Sequence, residues 1–338
     1  MEVAWLLAAP LYPPSRLGER ARRQHSGRKR HRESSVAGRI VSIGECMVEM
    51  SGGEDRTYRL GYAGDTLNTA WYLRALLGAD WSVDYATALG EDRYSGDIRT
   101  FLAQHQIGTG HIQTIPNRRP GLYLIHQEHG DRHFTYWRDT SAAKLLADDK
   151  AALATAVEGA ELVYFSGITL AILAPRARGR LLGAIVKARD NGARIAFDTN
   201  LRPALWSSPR VMAGVLTAAA SLCDIVLPTH TDEAPLFGDT SIDDTADRYL
   251  ELGVEEVVVK DGSKEALAAT ASERIRMAPP PGAKVVDATG AGDSFNGAYL
   301  AARLQGKSLR EALEAAHRTA GIVIGHKGAL VDPQLVQG

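Results

Sequence analysis

Two cysteines in 338 residues, Cys46 and Cys223, are too few for a disulfide framework, and without a CxxC spacing they do not suggest a zinc site. That usage fits a reducing compartment, so a cytoplasmic location is the expectation. No stretch approaches the ~20 consecutive apolar residues that span a bilayer, so no membrane partner is expected. Net charge is only −1, which argues against a nucleic-acid partner, since such partners ask for a strongly basic surface. Aromatic residues are few, at 7%, but 45% hydrophobic and 23% charged residues are ordinary for one large domain with room for a small accessory one.

The charge is unevenly spread. The first 36 residues hold eight of the 39 Lys/Arg and three of the 40 Asp/Glu, so the remainder carries −6. Ala4 to Leu11 is apolar but has Glu2 ahead of it and no basic n-region, which argues against a secretory signal. Residues 1–37 are expected to form a disordered basic extension, with contact to polyanions as the alternative reading. Residues 38–335 are expected to form the folded domain.

Within that domain, Arg39–Met50 reads as a core strand, a Gly44-Glu45 turn and an edge strand, and Tyr58–Tyr62 as another short strand. Gly64–Gly78 reads as a helix with Asp65 or Thr66 near its N-cap. Gly121–His126 and Arg132–Trp137 alternate around a turn at Glu128-His-Gly-Asp131 and predict a β-hairpin. From there strands at Leu162–Phe165, Arg194–Phe197, Asp224–Leu227 and Val254–Lys260 alternate with helical stretches. This pattern predicts an α/β fold, a mostly parallel sheet with helices on both faces. The strands at about 45–62 and 120–138 do not fit its register and are expected to form a small β lid.

Ligands of such a sheet gather beyond the carboxyl ends of its strands, and polar motifs cluster there. The most informative is Asp287-Ala-Thr-Gly-Ala-Gly-Asp-Ser-Phe-Asn-Gly297, after the β-branched pair Val285-Val286 and before a helical pattern running to Arg303. A strand ending in a Gly-rich turn that opens a helix makes an anion site. The N–H groups of Gly290, Ala291 and Gly292 are expected to point outward unpaired, with the helix dipole adding positive charge. Asp293 at the same helix start places a carboxylate where a base could take a proton from an attacking hydroxyl. The plainer reading is a tight glycine turn with Asp293 as a cap.

Other motifs carry two readings each. Gly64-Asp65-Thr-Leu-Asn68 can clamp sugar hydroxyls or cap a helix. Arg202, after Asp198-Thr-Asn-Leu, can bind a carboxylate or phosphate bidentately or pair with Asp198. Tyr136 and Arg138 share one face of a lid strand, as substrate contacts or as a packed Tyr beside a solvated Arg. Thr229-His-Thr-Asp-Glu233 offers a carboxylate for hydrated Mg²⁺ or a helix cap by Thr231. Lys260-Asp-Gly262 can approach nucleotide phosphate or ribose, or be a simple turn.

Asp-x-Thr-Gly-Ala-Gly-Asp-x-Phe near the C-terminus resembles the signature of the ribokinase-like (PfkB) sugar kinases. It lacks the Gly-Lys-Ser/Thr of a Walker loop, and a dinucleotide fingerprint would stand early in the chain. From about Arg39 to Asp332 the chain is similar to the subgroup of that family acting on 2-keto-3-deoxygluconate. Gly44–Met50, Gly64–Thr69, Pro120–Tyr123, Phe134–Arg138 with Ser141–Lys144, Ser166–Leu173 and Asn200–Trp206 carry that similarity.

The resemblance implies ATP- and Mg²⁺-dependent phosphorylation of the C6 hydroxyl, with Asp293 as base and Gly290, Ala291 and Gly292 around the transferring phosphoryl group. It implies substrate contacts at Gly64, Asp65, Asn68, Tyr123, Tyr136, Arg138 and Arg202. Asn200, Arg202, Thr229, Lys260, Gly262 and His317 would face ATP. The family's Asn-x-x-Glu, linked to Mg²⁺, reads His230-Thr-Asp-Glu233 here, leaving Glu233 as a metal residue acting through water. Activation by a monovalent cation such as K⁺ stays open. The open edges of the lid strands predict a homo-oligomer through the lids. A fructokinase-like activity on a neutral sugar and a non-catalytic sugar-acid sensor are the alternatives.

Overall fold

The computed structural model describes residues 38–52, 57–128, 131–282 and 284–337. The basic front end and the hairpin tip at 129–130 lie outside the described residues. Among the described residues no helix is long and apolar enough to cross a membrane.

The chain opens with β1 (Gly38–Ile43), then leaves the main sheet through β2 (Met47–Gly52) and β3 (Tyr58–Ala63). It returns by α1 (Asp65–Leu76) to β4 (Trp81–Leu89), α2 (Arg93–Gln104) and the short β5 (Ile107–Gly108) and β6 (Ile112–Thr114). A hairpin of β7 (Gly121–Glu128) and β8 (Asp131–Trp137) follows. The second half alternates α3 (Lys150–Val157), β9 (Leu162–Ser166), α4 (Gly167–Ile172), α5 (Pro175–Asp190), β10 (Arg194–Asp198), α6 (Pro209–Ala220) and β11 (Ile225–Val226). It closes with α7 (His230–Phe237), α8 (Ile242–Glu251), β12 (Glu256–Val259), β13 (Ala266–Thr270), β14 (Arg274–Met277), α9 (Ala291–Leu304) and α10 (Leu309–Val323).

The main sheet runs β14-β13-β12-β11-β10-β9-β1-β4-β5, with β6 also on β4, and is parallel from β12 to β5. Side-chain alternation sorts its residues into two cores. Val41, Ile43, Val163, Phe165, Ile195 and Phe197 join the side chains of α3, α5, α6 and α8. Ile40, Leu162, Tyr164 and Ala196 join those of α1, α2, α9 and α10. Burial on both faces is why these strands read as continuous apolar runs. A second sheet, β3-β2-β7-β8, holds the strands expected to form the lid.

Three local expectations are corrected. The sheet continues past β12 into an antiparallel edge, β13 and β14, which the sequence pattern does not reveal. Ala266-Leu-Ala-Ala-Thr270 has a helix former's composition, and it is buried as a strand only because α8 and α10 pack against it. Val285 and Val286 are not a strand. They are exposed, and the N–H groups of Val286 and Asp287 both donate to Ile324 O at the end of α10. Finally, α1 starts at an N-cap Gly64 with no side-chain cap, which leaves the Asp65 carboxylate for other partners.

Candidate active site

The carboxyl ends of β1, β9, β10 and β12 and the N-terminus of α9 line one edge of the main sheet, where they open on a cavity of about 1220 Å³. Of the residues singled out from sequence, Gly64, Asp65, Asn68, Tyr123, Tyr136, Arg138, Asn200, Arg202, Thr229, Lys260, Gly262, Gly290, Ala291, Gly292, Asp293 and His317 all line it. Glu233 does not.

At the floor, Gly290 is the N-cap of α9 with φ +75, and a Cβ there would stand 2.8 Å from Ala329. Only glycine fits both the left-handed backbone and the contact. The N–H groups of Gly290 and Gly292 make no hydrogen bond to the described residues, whereas Ala291 N–H donates to Ala288 O at 3.2 Å. The anion nest therefore has fewer free donors than the sequence suggests, since the N–H of Ala291, the first residue of α9, is used in the turn that opens the helix. Asp293 follows in the first helical turn. Its Oδ2 accepts from Asn68 Nδ2 at 2.7 Å, and Asn68 Oδ1 in turn accepts from Gly64 N–H at 3.3 Å. The capping reading fails, since Asp293 bonds across to α1 rather than to its own helix end.

Burial pushes the Asp293 pKa up to about 7, with the nearby charges of Asp65 and Asp198 adding to it and the Asn68 bond and Lys260 opposing. Asp65 is likewise raised by burial, against hydrogen bonds from Ser166 and Asn200. Its Oδ2 accepts from Asn200 Nδ2 at 2.8 Å. Asn200 itself has φ +31, held by its N–H bond to Asp198 Oδ1 at 3.0 Å. Asp198 Oδ2 accepts from Lys260 Nζ at 3.3 Å and from Asn296 Nδ2 at 2.7 Å, while Lys260 also donates to Asn296 Oδ1 at 2.9 Å. Lys260 is thus the partner of Asp198, and the alternative reading of an Asp198–Arg202 pair is not met. Arg202 stands half exposed with Asp232 Oδ2 at 3.8 Å.

Asn296 is the floor residue that sequence reading missed, although it stands inside the Asp287–Gly297 run. Its position three residues after Asp293 places it one turn along the same helix face, and that spacing was the available signal.

On the lid side, β2, β7 and β8 present Met47, Tyr123, Phe134, Tyr136 and Arg138 to the cavity. Tyr123 donates to Glu49, and Arg138 is ion-paired with the buried Glu45 while its guanidinium lies 5.8 Å from the Tyr136 ring. Opposite, Pro279, Pro280, Val285, Ala320 and Ile324 make an apolar slot beside His317. The His317 ring meets Phe295 edge-on at 5.2 Å and shares a hydrogen bond of 3.0 Å with Met277 O, and burial lowers its pKa.

Glu233 is fully buried and accepts from Thr199 Oγ1 at 2.6 Å, Arg248 Nη2 at 2.9 Å and Tyr249 OH at 2.9 Å. Its oxygens are directed into the fold, away from the cavity, so the expectation of a metal residue at Glu233 is not met by this geometry. The N-cap of α7 is Thr229, not Thr231, and His230 turns to Thr245 Oγ1 at 2.9 Å. No group of three or more His, Cys, Asp or Glu stands at metal-binding spacing among the described residues. The residues present fit a Mg²⁺ that arrives on a triphosphate, since that ion keeps water and takes one or two carboxylates rather than a protein cage. Asp232, with its pKa raised by burial, is one of several carboxylates on the cavity wall.

Comparison with known proteins agrees with this geometry. The family model for the pfkB family carbohydrate kinases matches residues 37–334. The 2-dehydro-3-deoxygluconokinase of Escherichia coli (strain K12) is 40% identical over 300 residues, 87% of this chain and 97% of that protein. The 2-dehydro-3-deoxygluconokinase of Dickeya dadantii is 38% identical over 299 residues, 86% of this chain and 96% of that protein. Among solved structures, a putative Ribokinase II from E. coli in complex with ATP and Mg²⁺ superposes with a TM-score of 0.74 at 24% identity, over 86% of this chain and 94% of that one. The chain belongs to the PfkB family of carbohydrate kinases.

Proposed function

We propose that this chain is an ATP-dependent 2-dehydro-3-deoxygluconokinase, phosphorylating the C6 hydroxyl of 2-keto-3-deoxygluconate to 2-keto-3-deoxy-6-phosphogluconate. The observation that carries the reading is the cavity floor. There a carboxylate with a pKa near neutrality stands one residue beyond a glycine anion nest, aimed by Asn68. A general base works best with a pKa near the working pH.

In the reaction the C6 oxygen bonds to the γ-phosphorus of ATP, the bond to the β-bridging oxygen breaks, and the hydroxyl proton passes to Asp293. ATP would supply the phosphoryl group, and a Mg²⁺ arriving with it would neutralise phosphate charge, with Asp232 on the cavity wall as a carboxylate that would help hold the ion. The N–H groups of Gly290 and Gly292 face the transferring anion. Gly64, Asp65 and Asn68 hold sugar hydroxyls, and Tyr123, Tyr136 and Arg138 hold the substrate from above. Arg202, with Asn200 before it, stands between sugar acid and nucleotide, and Thr229, Lys260, Gly262 and His317 serve the nucleotide side. Phosphoryl transfer depends mostly on positioning and charge, so covering the cavity matters as much as the base. The lid strands also support a homo-oligomer, since Tyr58, Leu60 and Trp137 of its two edge strands are exposed.

A neutral keto-sugar is the second reading, favoured by one observation: Arg138 and Arg202, the arginines assigned to the sugar acid, already have carboxylate neighbours, Glu45 and Asp232. An ADP-release assay on 2-keto-3-deoxygluconate, fructose, ribose and gluconate decides. A preference of about tenfold or more for the sugar acid, roughly 1.4 kcal/mol, is expected. A preference for fructose would overturn the acid assignment while keeping the kinase.

A further inference from the structure

The chain passes between the two sheets at four places: β1 to β2, β3 to α1, the entry to β7 and the exit from β8. All four converge on Glu45. It stands in the first crossing itself. At the second, a Cβ on Gly64 would lie 2.1 Å from Glu45 O, so the backbones touch. At the third, a Cβ on Gly121 would lie 2.9 Å from Glu45 Oε1 and 3.2 Å from Arg138 Cβ. At the fourth, Arg138 pairs its Nη2 with Glu45 Oε2, and Ser141 lies beside the same carboxylate, where it opposes the rise in pKa that burial causes. Ser141 in turn bridges to Arg119, just before β7.

This junction is buried and only partly satisfied. Glu45 Oε1, Arg138 Nε and Ser141 Oγ are all enclosed without a hydrogen-bond partner. Unpartnered buried polar atoms are costly and few in native folds, so their gathering at one junction marks it for a functional role. Arg138 is also the cavity-lining cation of the lid, so the group that ties the crossings together is the one facing the substrate.

We propose that Glu45 is a positioning residue. Through its ion pair with Arg138 it fixes the crossings between core and lid, and so sets the guanidinium for the carboxylate of the sugar acid. The proposal rests on the sugar-acid reading above. It makes Glu45 act on sugar-acid recognition only while Arg138 is present.

The test is a kinetic cycle of wild type, Glu45→Gln, Arg138→Met and the double variant, with thermal midpoints measured alongside. Coupled positions give non-additive effects. Glu45→Gln is expected to raise KM for 2-keto-3-deoxygluconate about tenfold in the wild-type background and less than about twofold in the Arg138→Met background, with KM for ATP unchanged throughout. The double variant, which carries neither buried charge, is expected to melt close to wild type. Glu45→Asp, which keeps the charge but withdraws it by one methylene, gives the same KM shift with a folded protein. An equal penalty in both backgrounds, or none in the wild type, overturns the proposal. If the wild type turns over a neutral sugar instead, the substrate reading fails separately. The cycle is then run on that sugar, and a KM indifferent to Glu45 overturns its positioning role.

Discussion

The floor and the lid of the cavity are built on opposite terms. At the floor the polar side chains of Asp65, Asn68, Asp198, Asn200, Lys260, Asn296 and Asp293 satisfy one another, and the packed cores of the main sheet stand on both sides. At the lid, Glu45, Arg138 and Ser141 leave enclosed atoms unpaired, and Tyr58, Leu60, Phe134, Tyr136 and Trp137 are exposed. The difference teaches a division of work. The floor is preorganised for charge transfer, where a lost ångström costs rate. The lid is arranged to adjust to a substrate.

The sharpest way to break this comparison is at Asp293. Asp293→Asn keeps the shape and removes the base, and a loss in kcat of about a thousandfold is expected with KM little changed. Because burial raises the acid in the folded state, its ionisation destabilises the fold progressively as pH rises from the ordinary carboxylate range to about 7. The Asn variant should therefore melt higher than wild type at pH 8 and alike near pH 4 in parallel thermal scans.

A second break is Lys260→Met. It strands the buried Asp198 carboxylate and should cost about 3–5 kcal/mol in urea denaturation, most of it recovered by adding Asp198→Asn. A lid change is smaller. Tyr136→Phe should raise KM for the sugar only a few-fold and leave the urea midpoint alone, because the side chain is half exposed. Smallest of all is the effect of Glu233→Gln on metal use. The activity curve against Mg²⁺ concentration should not move, while stability falls by about 1 kcal/mol through the weakened bond to Arg248.

Much of the floor can be read in the sequence because its geometry is local. The parallel strands announce themselves through apolar runs at 162–166 and 194–198, and the Asp287–Gly297 run places glycines and carboxylate on one helix start. What is not legible is who pairs with whom. Lys260 reaches Asp198 across 62 positions and Arg138 reaches Glu45 across 93. Neither spacing has a period that sequence could show. The same limit hides β13, whose alanines become a strand through the helices packed on it. Val285 and Val286 mislead for the converse reason: both are exposed outside any strand, and Val285 lines the cavity wall.

The most direct test of the account is the pH profile of kcat/KM for 2-keto-3-deoxygluconate at saturating ATP, for wild type and Asp293→Asn. With Asp293 as the base, the wild-type rate rises with unit slope on a logarithmic scale, bends near pH 7, where the carboxylate is half ionised, and levels off above it. The Asn variant is slow and flat across the same range. A wild-type profile already level at pH 5, or a break near pH 7 that survives in the variant, would contradict the claim that the floor of this cavity holds the base.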